Sequence, residues 1–145
     1  MNPGNFKVPL GMNQQELVNV AGGFQGTPEK IVSGGPMMGF AMFTLDVPVT
    51  KTSSSILCMT KDEVAKYEPS ACINCGRCIE ACPSRLIPSR LADYAERHDE
   101  AAFEKEFGVE CMECGSCSYV CPAKRQLKQA ISSMRKTVLA NRKKK

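Results

Sequence analysis

Eight cysteines of this chain lie in two runs with identical spacing, and closely spaced thiolates are ligands for soft metal centres. The first run contains Cys72, Cys75, Cys78 and Cys82, and the second contains Cys111, Cys114, Cys117 and Cys121. Each run reads C-x2-C-x2-C-x3-C-P and ends at a proline, Pro83 or Pro122. This spacing is typical of bacterial proteins that hold two [4Fe–4S] clusters, where the fourth cysteine of each run binds the other cluster.

The ligand sets that this pattern predicts are crossed between the two runs. Cluster 1 takes Cys72, Cys75, Cys78 and Cys121, and cluster 2 takes Cys111, Cys114, Cys117 and Cys82. Gly76 and Gly115 follow the second ligand of each run, and we expect them to let backbone N–H groups approach the cluster sulfides. The crossing makes folding depend on metal. It predicts outer-sphere electron transfer, with no side chain acting as acid, base or nucleophile.

Two other uses of the cysteines explain the pattern less well. Structural zinc is usually held by two C-x2-C pairs per ion, which leaves the third cysteine of each triplet and the Cys-Pro ending unexplained. A disulfide framework is disfavoured because the cysteine count of nine is odd and no secretory h-region follows Met1. The ninth cysteine, Cys58, is predicted to be a small buried residue of an apolar strand.

Composition and charge narrow the remaining function classes. The formal net charge is +4, and part of it lies in a basic tail at residues 142–145. No aromatic residues interleave with the basic ones, so nucleic acid is not an expected partner. No apolar run approaches the roughly eighteen residues of a membrane span, so no transmembrane segment is expected. Five basic residues near the runs either tune a cluster or receive an acidic redox partner, or are ordinary surface charge: Arg77, Arg85, Arg90, Lys124 and Arg125.

The elements of residues 1–60 are predicted to form a small α+β segment. Apolar and β-branched runs favour strands at residues 6–8, 31–32, 40–49 and 55–59. Asn13 is predicted to cap a helix at residues 14–21, which Gly22 and Gly23 end.

The elements of residues 61–145 are predicted to be helical. We expect helices at residues 63–67, from Pro88 through Ala95, at residues 100–107 and at residues 124–141. The last helix has an apolar stripe at spacings of three and four, formed by Leu127, Ile131, Met134 and Val138. We interpret this stripe as part of the core rather than as a partner site.

Three segments together resemble the C subunit of Rnf (Rsx) electron transport complexes. They are S-G-G-P-M-M-G at residues 33–39, D-V-P-V-T-K-T at residues 46–52, and the two cysteine runs. The resemblance covers nearly the whole chain and implies an α+β architecture. A partial β-grasp segment of the SLBB type would occupy residues 1–60, and an α-helical ferredoxin domain with two [4Fe–4S] clusters would occupy residues 61–145. Only the C-terminal portion of that family's full-length protein is represented.

This family implies an electron-relay subunit of a membrane-associated complex that couples ferredoxin and NAD redox chemistry to ion translocation. The expected location is peripheral, on the cytoplasmic side of the cell membrane. Other subunits of the complex and ferredoxin are the expected partners. The complex as a whole is an oxidoreductase, or translocase. The family's upstream flavin- and nicotinamide-binding domain has no counterpart in these residues, so FMN and NAD(H) are not expected here and the chain alone has no catalytic side chains.

Three alternative functions fit the same residues. The S-G-G-P-M-M-G segment and the double-cluster layout are also similar to cobalamin reductases of diol-utilising microcompartments, which implies the iron–sulfur part of a soluble flavoprotein reductase. A second alternative is a module in which the clusters only stabilise the fold, and a third is a truncated gene product. Co-purification with membranes or shell proteins, EPR, and detection of the chain in cells distinguish these alternatives.

Overall fold

The computed structural model describes residues 3–144. The chain divides into two compact units, Met1–Lys66 and Tyr67–Lys145. The first unit contains a three-stranded sheet and a helix, whereas the second is built from helices, so the fold class is α+β as predicted. Among the described residues, no helix has both the length and the apolarity that crossing a bilayer requires.

The helix of the first unit, α1, runs from Gln14 to Val20. It begins where predicted because the Asn13 side chain accepts a hydrogen bond of 2.8 Å from the Gln15 amide. It ends because Gly22 and Gly23 follow with φ of 92° and 65°, a conformation that glycine adopts without steric cost.

The sheet of the first unit is antiparallel and has the order β2-β1-β3. Its strands are β1 (Lys30–Ser33), β2 (Phe40–Met42) and β3 (Ile56–Met59). Val32 of β1 is buried and pairs with Ala41 and Leu57 on either side. The strands predicted at residues 31–32 and 55–59 are therefore confirmed.

Two strand predictions in the first unit are wrong in part or in whole. Residues 6–8 belong to no strand, since no segment of the described chain completes a hydrogen-bond ladder with them. The strand predicted at residues 40–49 stops at Met42. Beyond Met42 the chain bonds to the start of α1 instead of continuing the sheet. The Leu45 and Val47 carbonyls accept hydrogen bonds from the first amides of that helix.

The second unit contains three helices in predicted regions and two one-turn helices that the sequence did not predict. They are α2 (Arg77–Glu80), α3 (Pro88–Glu96), α4 (Glu100–Lys105), α5 (Ser116–Tyr119) and α6 (Leu127–Arg142). Short 3-10 segments lie at Glu63–Lys66, in the first unit, and at Gly108–Glu110. The Asp99 side chain caps α4 as predicted, accepting a hydrogen bond of 2.9 Å from the Ala102 amide.

Two helix bounds differ from prediction because of left-handed residues. Phe107 has a φ of 61°, so α4 stops at Lys105 and the chain turns into the 3-10 segment that leads to Cys111. Lys124 has a φ of 53°, so α6 begins at Leu127 rather than at residue 124. The turn at Phe107 leads into the second cysteine run, and the turn at Lys124 leads out of it.

The core of the second unit forms where α3, α4 and α6 meet. Phe103, Leu91 and Ile131 are its largest fully buried side chains. The predicted stripe is confirmed as core, since all four of its members are buried: Leu127, Ile131, Met134 and Val138. This packing holds α3 and α6, the two helices that follow the cysteine runs, against each other.

Candidate metal centre

The backbone repeats itself around the two cysteine runs at a separation of 39 residues. Left-handed residues occur at the same places in both runs, namely Asn74 and Glu113, Gly76 and Gly115, and Arg85 and Lys124. The one-turn helices α2 and α5 follow the glycines, and the longer helices α3 and α6 begin at matching positions. The sequence repeat is therefore a structural repeat.

The glycine in each run is required by backbone conformation. Gly76 and Gly115 have φ of 76° and 84°. A Cβ added at Gly76 would meet no described atom within 4 Å, so the requirement there is the positive φ rather than lack of space. The turn lets the third cysteine of each run point inward, and Cys78 and Cys117 are both buried.

Two separate cavities bring the eight cysteines together in fours. The first cavity, of about 110 Å³, is lined by Cys72, Cys75, Cys78 and Cys121. The second cavity, of about 20 Å³, is lined by Cys82, Cys111, Cys114 and Cys117. Each cavity thus contains the first three cysteines of one run and the fourth cysteine of the other.

The cysteines are chemically suited to an iron–sulfur cluster rather than to a single ion. All nine cysteines of the chain are free thiols. Among the described residues, no three His, Cys, Asp or Glu side chains lie close enough together to hold one metal ion. A tetrahedral zinc ion needs four ligands converging at about 2.3 Å. The thiolates of a [4Fe–4S] cluster instead bind different irons, and therefore stand around a cavity as these do.

Burial and hydrogen bonding affect the cysteines of the second cavity differently. Burial raises the pKa of the Cys117 thiol to about 11 and also raises the pKa of the Cys111 thiol. Hydrogen bonding to Ser116 lowers the pKa of the Cys114 thiol. A bound metal deprotonates its thiol ligands outright, so filling the site converts these buried groups to thiolates.

Backbone amides donate hydrogen bonds to two sulfurs of the second cavity. The Leu86 amide lies 3.3 Å from Cys82 Sγ, and the Glu113 amide lies 3.4 Å from Cys111 Sγ. Such N–H···S bonds favour the thiolate and stabilise a more reduced cluster.

The two cavities differ in exposure. Cys72 and Cys75 are exposed, whereas Cys111 and Cys114 are half-buried. Arg125 lines the first cavity, and its guanidinium lies 2.8 Å from Asp93 and 2.9 Å from Glu96 on α3. Burial lowers the pKa of Arg125, but the hydrogen bonds to these two carboxylates outweigh it and raise the pKa overall. Arg125, one of the five basic residues noted in the sequence, is therefore a positive charge that two carboxylates hold in place at the first cavity.

One polar network at the second cavity was not found from the sequence. Glu113 of the second run is bound by Ser132 and Arg135 of α6. The sequence did indicate that Ser132 and Arg135 share one helix face, because they are three residues apart. It did not indicate that Glu113, which lies 19 and 22 residues earlier, is their common partner.

The remaining sequence candidates lie elsewhere. Cys58 belongs to β3 of the first unit and is half-buried, and burial raises the pKa of its thiol. His98 is exposed, with a φ of 56°, between α3 and α4. Neither residue lies within the two cysteine runs.

Two family models match the chain. A model of the SLBB domain matches residues 1–41, and a model of the 4Fe-4S dicluster domain matches residues 71–125. The second match spans all eight cysteines of the two cavities. These cysteines therefore belong to a domain that holds two [4Fe–4S] clusters, and the first unit contains SLBB sequence.

Curated relatives match over most of the chain. One is the C subunit of the Na(+)-translocating ferredoxin:NAD(+) oxidoreductase complex of Acetobacterium woodii, 42% identical over 99% of this chain and 32% of its own length. Another is the C subunit of the proton-translocating ferredoxin:NAD(+) oxidoreductase complex of Clostridium ljungdahlii, 44% identical over 74% of this chain and 23% of its own. A third is the C subunit of the ion-translocating oxidoreductase complex of Methanosarcina acetivorans, 39% identical over 90% of this chain and 29% of its own length. The chain spans about a third or less of these relatives.

Proposed function

We propose, from the premise that this chain belongs to the family of C subunits of ion-translocating oxidoreductase complexes, that it relays electrons through two [4Fe–4S] clusters inside such a complex. Family membership rests on relatives that cover up to 99% of the chain. The observation that supports the relay is the collection of eight free thiols in two cavities within one dicluster domain. This domain is the electron-carrying part.

We assign the cluster ligands as two crossed sets. Cluster 1 is held by Cys72, Cys75, Cys78 and Cys121, and cluster 2 is held by Cys82, Cys111, Cys114 and Cys117. The lining of the two cavities supports this assignment, because each cavity has a fourth thiol from the opposite run. Since each run contributes to both sites, the sites lie close together, which suits electron exchange between them.

The side chains of this domain position the clusters and do no acid–base chemistry. When bound, the clusters supply one-electron redox chemistry. The thiolates hold them, and the amides of Leu86 and Glu113 donate to Cys82 and Cys111 and so tune the electron density on these sulfurs. The packing of α3 against α6 keeps the two sites at a constant separation.

The names of the relatives support a proposed setting for this relay. Those names describe complexes that translocate ions and act on ferredoxin and NAD(+). We propose that the chain associates peripherally with the membrane, on the cytoplasmic side, through other subunits of such a complex. Ferredoxin is the proposed source or acceptor of electrons, and the whole activity belongs to the complex rather than to this stretch of chain.

Anaerobic isolation followed by iron and acid-labile sulfide assays tests the proposed relay. Two clusters require about eight irons and eight sulfides per chain, and reduction should produce EPR signals of two interacting [4Fe–4S]+ centres. Cys58→Ala is the matched control and should leave both contents unchanged. Protein that is colourless, or that contains zinc in place of iron, would refute the proposal.

A further inference from the structure

We propose that Arg135 is a positioning residue for cluster 2, which it secures by clamping the loop at residues 109–113 to α6. The clamp makes cluster 2 the more tightly held of the two clusters and leaves cluster 1 the labile one. This inference rests on the proposed function, because it takes the cysteines of the second cavity as cluster ligands.

The Arg135 guanidinium contacts the ligand loop on both sides of Cys111. Its Nε donates a hydrogen bond of 2.8 Å to the Val109 carbonyl, and its Nη1 donates one of 3.2 Å to Glu113 Oε1. Ser132 Oγ donates a further hydrogen bond of 2.7 Å to Glu113 Oε2. The first ligand of the second run therefore lies in a segment held at both ends by one helix.

The position of Glu113 couples the clamp to the ligand itself. Its backbone is left-handed, with a φ of 57°, and its amide donates to Cys111 Sγ at 3.4 Å. Releasing the carboxylate frees the residue whose N–H points at the sulfur. A change in the direction of this N–H should change the reduction potential of the bound cluster, because N–H···S bonds to the ligand sulfurs tune it.

The clamp is shielded enough to be strong. The Arg135 side chain is 32% exposed and the Glu113 side chain is 25% exposed. Ser132 is buried. Hydrogen bonds between charged groups are about twice as strong as neutral ones, and partial burial limits their screening by salt.

The first run has no equivalent clamp among the described residues. Asn74 stands where Glu113 stands in the repeat, but it is exposed, and its side-chain oxygen accepts a hydrogen bond from the Cys72 thiol of its own loop, at 3.7 Å. On α3 the places of Ser132 and Arg135 are taken by Asp93 and Glu96, which bind Arg125 instead. Cys72 and Cys75 are thus exposed, and the start of their loop is tied by a backbone hydrogen bond of 3.0 Å from Ser70 to Ala123, which lies outside any helix.

Iron release from the anaerobic, dithionite-reduced holoprotein to excess 2,2′-bipyridine measures this difference. We expect two phases, each of about half the iron, with the slow phase belonging to cluster 2. Arg135→Gln should accelerate the slow phase about tenfold, the effect of losing one or two hydrogen bonds to a charged group. Arg135→Lys keeps the charge beside Glu113 and should restore part of the slow phase. Ser132→Ala tests the same loop if Arg135→Gln does not fold.

A control and a second readout separate positioning from general destabilisation. Arg142→Gln breaks another ion pair of α6, to Glu104, and should change neither phase. In the Arg135→Gln protein, one of the two reduced-cluster EPR signals and its potential should change, while the other stays as in wild type. A single phase in wild type, an unchanged slow phase in Arg135→Gln, or equal changes in both signals would overturn the inference. Wild-type protein that contains no iron when it is isolated, before any chelator is added, would instead refute the proposed function.

Discussion

Paired removal of cluster ligands tests the crossed assignment more sharply than single substitutions. Cys121 follows Cys117 in the chain but lines the cavity of Cys78. If the ligands are crossed, Cys78→Ala with Cys121→Ala removes two thiolates from cluster 1 and none from cluster 2. Cys117→Ala with Cys121→Ala removes one thiolate from each cluster. Uncrossed runs predict the opposite outcome, with the second pair of substitutions affecting one cluster only.

The magnitude of the effect follows from the ligand count of each cavity. With two of its four thiolates gone, cluster 1 should be lost, so the first double variant should retain about four irons per chain and one unchanged EPR signal. The effects of its two substitutions should be strongly non-additive, since either one already damages the same site. The second double variant should retain no unchanged signal. Iron assay and EPR on anaerobically isolated protein decide the matter, and one unchanged signal in the second variant would refute the crossed scheme.

Three further predictions concern stability. Phe103→Ala should lower the unfolding free energy by about 3–5 kcal/mol, seen as a lower thermal midpoint, because this fully buried ring packs against Gly108; a change below about 1 kcal/mol would contradict the packing. Gly76→Ala should cost about 1 kcal/mol because its φ is 76°, and a matched Gly35→Ala, in open space without a positive φ, should cost less. The hydrogen bond from Lys30 lowers the pKa of Asp62, so the contribution of this pair is present above the ordinary aspartate pKa and is lost as the pH falls below about 4. Asp62→Asn should flatten that acid limb of the pH–stability curve, and an unchanged curve would show that the pair contributes nothing.

Local signals predicted several features because their causes are themselves local. Asn13 and Asp99 cap their helices with their own side chains, and the hydrogen bonds involved reach two or three residues along the chain. The stripe from Leu127 to Val138 is buried because helical periodicity alone places these residues on one face. The spacing of each cysteine run likewise determines a tight loop that can surround a cluster.

Features that depend on distant partners could not be read locally. The alternation at residues 6–8 predicts a strand, but a strand needs a neighbour to complete its hydrogen bonds, and none pairs with it in the described fold. Similarly, the strand predicted at residues 40–49 ends at Met42, and the Leu45 and Val47 carbonyls bond to the start of α1. In the second case, hydrogen bonding to a distant helix outweighed intrinsic strand preference.

The sequence by itself identified the eight cysteines that we propose as cluster ligands, since thiolate spacing within a run is a property of nearby residues. The tertiary structure decided how the two runs differ. It left Cys72 and Cys75 exposed, and it placed Arg135 against Glu113, 22 residues earlier in the chain. The second difference arises because α6 lies against the loop at residues 109–113 and has Ser132 and Arg135 at the positions where α3 has Asp93 and Glu96.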